Sequence, residues 1–253
     1  MTFTIAVAGK GGVGKSTISA LLVRALGEKS GEIVLAVDAD PNANLGEKLG
    51  VKIDKTIGDL REDLLKRAEE IPAGTSKQEH VRYQIQLAMV EGSSFNLLTM
   101  GRPEGPGCYC YINNILRTFL DAVMDDYTYV VIDNEAGMEH LSRRTTRRMD
   151  VLLLVSDATK VGVDTALRLT ALAKEMELEV GKTVLVINRV AAQLPPAVCE
   201  MVRASPLKDA VETAFDPLVE DLVAKGDPLT KLPESSPMFW KVKEIAGSFT
   251  CQV

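Results

Sequence analysis

The sequence predicts an α/β fold, a doubly wound and mostly parallel sheet with helices on both faces, on three observations. Apolar runs of strand length alternate with runs of helix length along the chain. Most of the strand-like runs are apolar nearly throughout and rich in β-branched residues, which is what strands covered on both faces require. The first of them, Phe3–Ala8, passes through a glycine-rich stretch, Gly9–Thr17, directly into a helix-like run. Further strands are expected at Ile33–Val37, Phe95–Met100, Tyr129–Ile132, Val151–Val155, Thr183–Ile187 and, with the weakest pattern, Val211–Phe215. Helices are expected at Ser16–Leu26, Ile57–Glu70, Ile112–Asp125, Val163–Met176 and Pro217–Ala224.

The stretch Gly9-Lys10-Gly11-Gly12-Val13-Gly14-Lys15-Ser16-Thr17 reads as a phosphate-binding loop. Its four glycines let successive backbone N–H groups turn inward around phosphate oxygens, while Lys15 supplies a point charge and Ser16 a hydroxyl for Mg2+. A helix starting there aims its positive end at the same anion. A strand before and a helix after are the context that separates such a loop from a chance match. The chain is therefore expected to be a P-loop NTPase, with Gly11, Gly12, Val13, Gly14, Lys15, Ser16 and Thr17 around the phosphates.

In open sheets ligands sit beyond the carboxyl ends of the strands, so the residues just after each strand carry the chemistry. The second strand is followed by Asp38-Ala39-Asp40-Pro41-Asn42, which supplies acids for a magnesium shell or for accepting a proton from an attacking water, as well as turn formers. Residues 69–94 read as a surface insertion carrying a helix at Gln78–Val90. After Tyr129–Ile132 comes Asp133, a second magnesium-site signature, then Asn134-Glu135-Ala136-Gly137, where Gly137 would let the loop move when the γ-phosphate leaves. Thr183–Ile187 is followed by Asn188-Arg189-Val190-Ala191. The Asn188 amide can donate and accept at once, which suits the N6/N7 edge of adenine, whereas a guanine site would want a carboxylate where Ala191 stands. Asn188 and Arg189 are therefore assigned to the binding of ATP. The segment Phe239–Ile245 reads as a final helix packed on the sheet rather than a membrane anchor.

A chain of 253 residues fits a single domain over residues 1–253, and no linker argues for two. No apolar run approaches the roughly 18 residues of a membrane span, and no signal peptide opens the chain, so a cytoplasmic protein with no membrane partner is expected. A net charge of −6 gives no basic field for nucleic acid. The cluster Arg143-Arg144-Thr145-Thr146-Arg147-Arg148, whose helical spacing would put Arg143 with Arg147 and Arg144 with Arg148, reads as a solvated face or a docking surface for an acidic protein. Cys199 and Cys251 read as small apolar residues, and neither His80 nor His140 is given a role.

Cys108 and Cys110 stand apart, in Gly105-Pro106-Gly107-Cys108-Tyr109-Cys110. Two cysteines at i and i+2 in an extended backbone point to the same side, so both sulfurs can reach one ion. They precede the run from Ile112, where a helix N-terminus would favour thiolate. Two thiolates do not complete a four-coordinate site; a symmetric dimer with these loops facing each other would, in a tetrahedral or a square-planar arrangement.

Lys10, directly after the first glycine, makes the loop resemble the deviant-P-loop ATPases, the group that includes MinD-type, ParA-type, nitrogenase iron protein and metal-cluster assembly ATPases. The resemblance covers most of the chain: Gly9–Thr17, Asp38–Asn42 as switch I, Asp133–Gly137 as switch II, and Asn188 as the adenine-reading residue. It implies an ATP-dependent homodimer in which Lys10 crosses to the partner's phosphates and, with Lys15, neutralises charge in the transition state. It also implies that Asp40 positions or activates the water and that Asp38 and Asp133 organise magnesium. The Gly-Cys-Tyr-Cys stretch looks like the nickel-insertion ATPases of the CooC type. That likeness implies Ni2+ as cargo at Cys108 and Cys110, with Zn2+ able to take the same site, and apo carbon monoxide dehydrogenase or acetyl-CoA synthase as client. The absence of a cysteine from Asn134–His140 departs from the nitrogenase iron protein and argues against a bridging iron–sulfur cluster. The alternative function is a MinD/ParA-type positioning or partitioning ATPase acting on membrane or DNA.

Overall fold

Along β1 (Phe3–Gly9) every residue is buried, yet neighbours face opposite ways: Phe3, Ile5 and Val7 join one apolar cluster, Ala6 and Ala8 the other. A strand that must satisfy two cores has no polar face, which is why its sequence is apolar throughout. The computed structural model describes residues 2–66, 76–102, 122–136, 148–207 and 209–250. After β1 come α1 (Lys15–Ser30), β2 (Val34–Asp38), α2 (Asn44–Leu49), α3 (Ile57–Lys66), α4 (Lys77–Ala88), β3 (Val90–Glu91), β4 (Phe95–Thr99) and β5 (Tyr129–Asp133). The chain continues through β6 (Arg148–Asp157), α5 (Lys160–Glu175), β7 (Glu179–Val190), α6 (Pro196–Ala204), β8 (Asp209–Ala214), α7 (Pro217–Lys225), a 3-10 turn at Leu229–Lys231 and α8 (Pro237–Thr250).

The strands form one sheet in the order β3-β4-β2-β5-β1-β6-β7-β8, parallel except for the short β3. β1 lies between β5 and β6, so the loop that leaves it opens at the middle of the carboxyl edge. One face of the sheet is covered by α1 and α8, the other by α3, α4, α5 and α6. Helix α1 lies among the sheet, α2 and α8, and it is buried nearly all round, which accounts for its lack of a polar stripe. α8 buries Phe239, Val242, Ile245, Ala246 and Phe249, so its apolar face is packed on the sheet. Asp216 fixes the start of α8, its Oδ2 accepting from Ser236 Oγ (2.5 Å) and Met238 N (3.3 Å).

Two expectations change. The stretch read as a surface insertion contributes α4, whose Val81, Ile85 and Ala88 are buried in the second core, and β3, which pairs antiparallel with β4. Arg148 heads β6 rather than extending a helix, so helical spacing does not place it beside Arg144; residues 137–147 lie outside the described residues. The helix expected at Ile57–Glu70 is described to Lys66, and of the helix expected at Ile112–Asp125 only residues 122–125 are described, as helix.

Candidate active site

The phosphate loop depends on two close approaches. At Gly9 a Cβ would run into the Val155 carbonyl oxygen on β6, so only glycine lets the chain leave the sheet there. Gly14, at φ 94°, is the left-handed N-cap of α1, and a Cβ on it would collide with Asn188 Nδ2. No side chain caps α1 and no acid sits in its first turn, which leaves its leading N–H groups and positive dipole end for an anion. Lys15 is buried and its Nζ donates to the Lys10 carbonyl oxygen (3.3 Å), while Lys10 itself is exposed at the rim. Burial lowers the Lys15 pKa against the opposing pull of Asp133, Asp40 and Glu135.

Across from the loop the ends of β2 and β5 bring Asp38 and Asp133 into register, both fully buried. Asp38 folds the segment after it: Oδ1 accepts from Asp40 N (3.1 Å) and Oδ2 from Leu45 N (2.9 Å). Burial first, and then the neighbouring Asp133, push the Asp38 carboxyl up to about 7. Asp133 Oδ1 accepts from Ser19 Oγ (2.9 Å) and its Oδ2 has no partner. Burial pushes Asp133 up to about 6, although the hydroxyls of Ser16 and Ser19 and the charge of Lys15 oppose it. Two adjacent buried carboxyls and one orphaned oxygen form a donor set that a divalent cation relieves, by restoring the ionised forms. The residues therefore fit magnesium. Among the described residues no group of three or more His, Cys, Asp or Glu could hold a metal ion, so oxygens of Ser16, phosphate and water would complete the shell. Asp40 lies nearer the opening, its Oδ1 accepting from Asn42 N and Nδ2, both at 2.9 Å.

Asn188, near the end of β7, packs against the loop. Its Nδ2 donates to the Val13 carbonyl oxygen (2.8 Å), and its Oδ1 accepts from Thr213 Oγ1 (2.6 Å) and Arg189 N (3.0 Å). A backbone N–H can only donate, so Arg189 N fixes which end of the amide is oxygen. With both lone pairs of Oδ1 engaged, what the amide has left for a base is its second N–H, rather than the donor and acceptor together that the sequence suggested. Arg189 sits at φ 59° in a bulge of β7, donates to the Gly12 carbonyl oxygen (3.4 Å) and pairs with Glu220 (3.2 Å).

An open cavity of about 440 Å³ lies over the loop, and Asp38, Asp133 and Asn188 are buried and do not line it. Gly11, Gly12, Gly14, Lys15, Ser16, Thr17, Asp40 and Arg189 line it, so the structure brings most of the expected phosphate residues together; Val13 is buried behind them. Sequence reasoning gave no role to Asn44 and Lys48 of α2 or to Val223 of α7, which line the same cavity. Helix α2 was not expected, and so the spacing that turns Asn44 and Lys48 to one side was not readable. Cys108, Cys110, Gly137 and His140 lie outside the described residues.

The AAA domain family model matches residues 2–187. An uncharacterized ATP-binding protein of Methanocaldococcus jannaschii is 45% identical over 244 residues, 96% of each chain. The carbon monoxide dehydrogenase accessory protein CooC of Rhodospirillum rubrum is 33% identical over 186 residues, 69% of this chain and 70% of that one. Among solved structures, the septum site-determining protein MinD complexed with Mg-ADP, from Pyrococcus horikoshii, superposes with a TM-score of 0.69 at 22% identity, covering 99% of this chain and 98% of that one.

Proposed function

The chain belongs to the AAA domain family and is a P-loop ATPase, and on that premise we propose that it is an ATP-driven metallochaperone delivering nickel to an apo-enzyme. The observation that carries this reading is the presence, in one chain, of the Lys10 loop and the Cys108-Tyr109-Cys110 pair. The likeness to a carbon monoxide dehydrogenase accessory protein supports it, and in this reading the client is carbon monoxide dehydrogenase or acetyl-CoA synthase.

In this proposal Gly11–Thr17 cradle the phosphates of ATP, and Ser16, Asp38 and Asp133 hold magnesium, which when bound neutralises phosphate charge. Asp40 orients the attacking water, Asn188 donates its free N–H to adenine, and Arg189 braces the loop from Gly12. Lys15 and the partner's Lys10 stabilise charge on the transferring phosphoryl group, so hydrolysis requires two chains. Closure would bring two Cys108/Cys110 loops together around one nickel ion, and opening after hydrolysis would release it. Zinc, equally suited to thiolates, competes for the same site.

Replacing both Cys108 and Cys110 by serine tests the proposal. Metal binding should be lost while ATP hydrolysis persists; retained nickel binding in that variant overturns the reading. The alternative, a positioning ATPase, draws on the fold shared with MinD. The burial of the apolar face of α8 weighs against its membrane form, and ATP-dependent sedimentation with DNA or liposomes would favour it.

A further inference from the structure

Ser19 is a polar residue in an apolar place. It lies within α1, fully buried, with Ile18, Leu22 and Val23 around it also fully buried. At such a position alanine has the better helix propensity, and a buried hydroxyl costs free energy unless it is hydrogen-bonded. Its partner comes from 114 residues away: Ser19 Oγ donates to Asp133 Oδ1 at 2.9 Å. On α1 this places Ser19 one turn beyond Lys15 and three residues beyond Ser16, on the side that faces the end of β5.

The backbone of Asp133 is held on both sides. Its carbonyl oxygen accepts from Ala39 N (2.9 Å), and the next residue, Asn134, donates from N to the Val7 carbonyl oxygen (3.0 Å). The remaining freedom is the rotation of the carboxylate, which Ser19 restricts by donating to Oδ1 while the Ser16 hydroxyl also lies close to the carboxyl. Oδ2, buried and without a partner, is then the one oxygen left to take up a cation or its water.

We propose that Ser19 is a positioning residue for the magnesium site, holding Asp133 so that Oδ2 faces the metal shell. The inference rests on the reading of Asp133 as a magnesium-site residue. Residues that orient a metal-binding group from behind characteristically change metal affinity rather than nucleotide affinity.

The test is a titration of Mn2+ into the full chain loaded with ADP, followed by electron paramagnetic resonance, for the wild type, Ser19→Ala, Ser19→Thr and Asp133→Asn. Ser19→Ala should weaken Mn2+ binding about tenfold, with metal-free ADP affinity unchanged, and Ser19→Thr, which keeps the hydroxyl, should restore most of it. If Ser19→Ala leaves Mn2+ affinity within about twofold of wild type while Asp133→Asn weakens it, Ser19 serves packing alone and the inference is overturned. If Asp133→Asn also leaves it unchanged, the magnesium assignment of Asp133 itself falls, and the inference falls with it.

Discussion

The sharpest consequence of the paired strand-end acids is that the site destabilises the empty protein. Asp133 has an ordinary carboxyl pKa of 3.8 when unfolded and about 6 when folded. Between those values the folded chain holds a proton that the unfolded chain has released, so the contribution of Asp133 to stability is greatest below about pH 4 and is lost as pH rises through 6. The full cost above that window is about two pKa units at about 1.4 kcal/mol each, about 3 kcal/mol. Asp133→Asn removes the ionisation and keeps an acceptor for Ser19, but leaves an unpartnered amide N–H where Oδ2 stood, at a cost of about 1–2 kcal/mol. The net expectation at pH 8 is a gain of about 1–2 kcal/mol, or about 2–8 °C in Tm, for protein free of nucleotide and metal. At pH 4, where the folded carboxyl is protonated, only the cost of the amide N–H remains and the variant should be less stable than wild type by about 1–2 kcal/mol. The assay is differential scanning calorimetry in chelator at the two pH values, with ATP hydrolysis measured alongside and expected to fall sharply. A variant that melts below wild type at pH 8, or that gains as much at pH 4, refutes the electrostatic reasoning.

Other substitutions probe the scaffold. Gly14→Ala must relieve both a left-handed backbone and a collision with Asn188, so it should cost about 1–3 kcal/mol in urea unfolding and weaken binding of a fluorescent ATP analogue; unchanged nucleotide affinity would contradict the close approach. Phe239→Ala removes a fully buried ring that lies under the Arg24 guanidinium at 4.1 Å, and should cost about 3–5 kcal/mol in the same unfolding measurement while leaving the hydrolysis rate per folded molecule unchanged.

The strands were legible because a doubly covered strand writes its burial into every residue. The run Tyr129–Ile132 and the strand Tyr129–Asp133 differ by the one acid that matters chemically. Asp38, Asp133 and Asn188 were legible for the same reason: each stands where an apolar run stops, and the ends of parallel strands are where ligands bind. Short elements were not. Helix α2 has six residues and no side-chain cap, and β3 has two, too few to establish a period. Helix α4 did carry a signal, with Val81, Ile85 and Ala88 at spacings of four and three, but the polar residues between them favoured a surface reading. The roles of Ser19 and Thr213 depend on partners 114 and 25 residues away, and local pattern does not encode such pairs. Arg148 shows the converse error, since a helical spacing imposed on a run of arginines missed the start of a strand.

In the proposed function ATP brings two chains together around one metal ion. Anaerobic titration of nickel into the protein with and without ATP, with sedimentation velocity on the same samples, decides whether it does. One nickel per two chains is expected, with a dimer formed in ATP and loss of the metal in the variant carrying Cys108→Ser and Cys110→Ser. One nickel bound per monomer irrespective of ATP, or undiminished binding in the double variant, would contradict it.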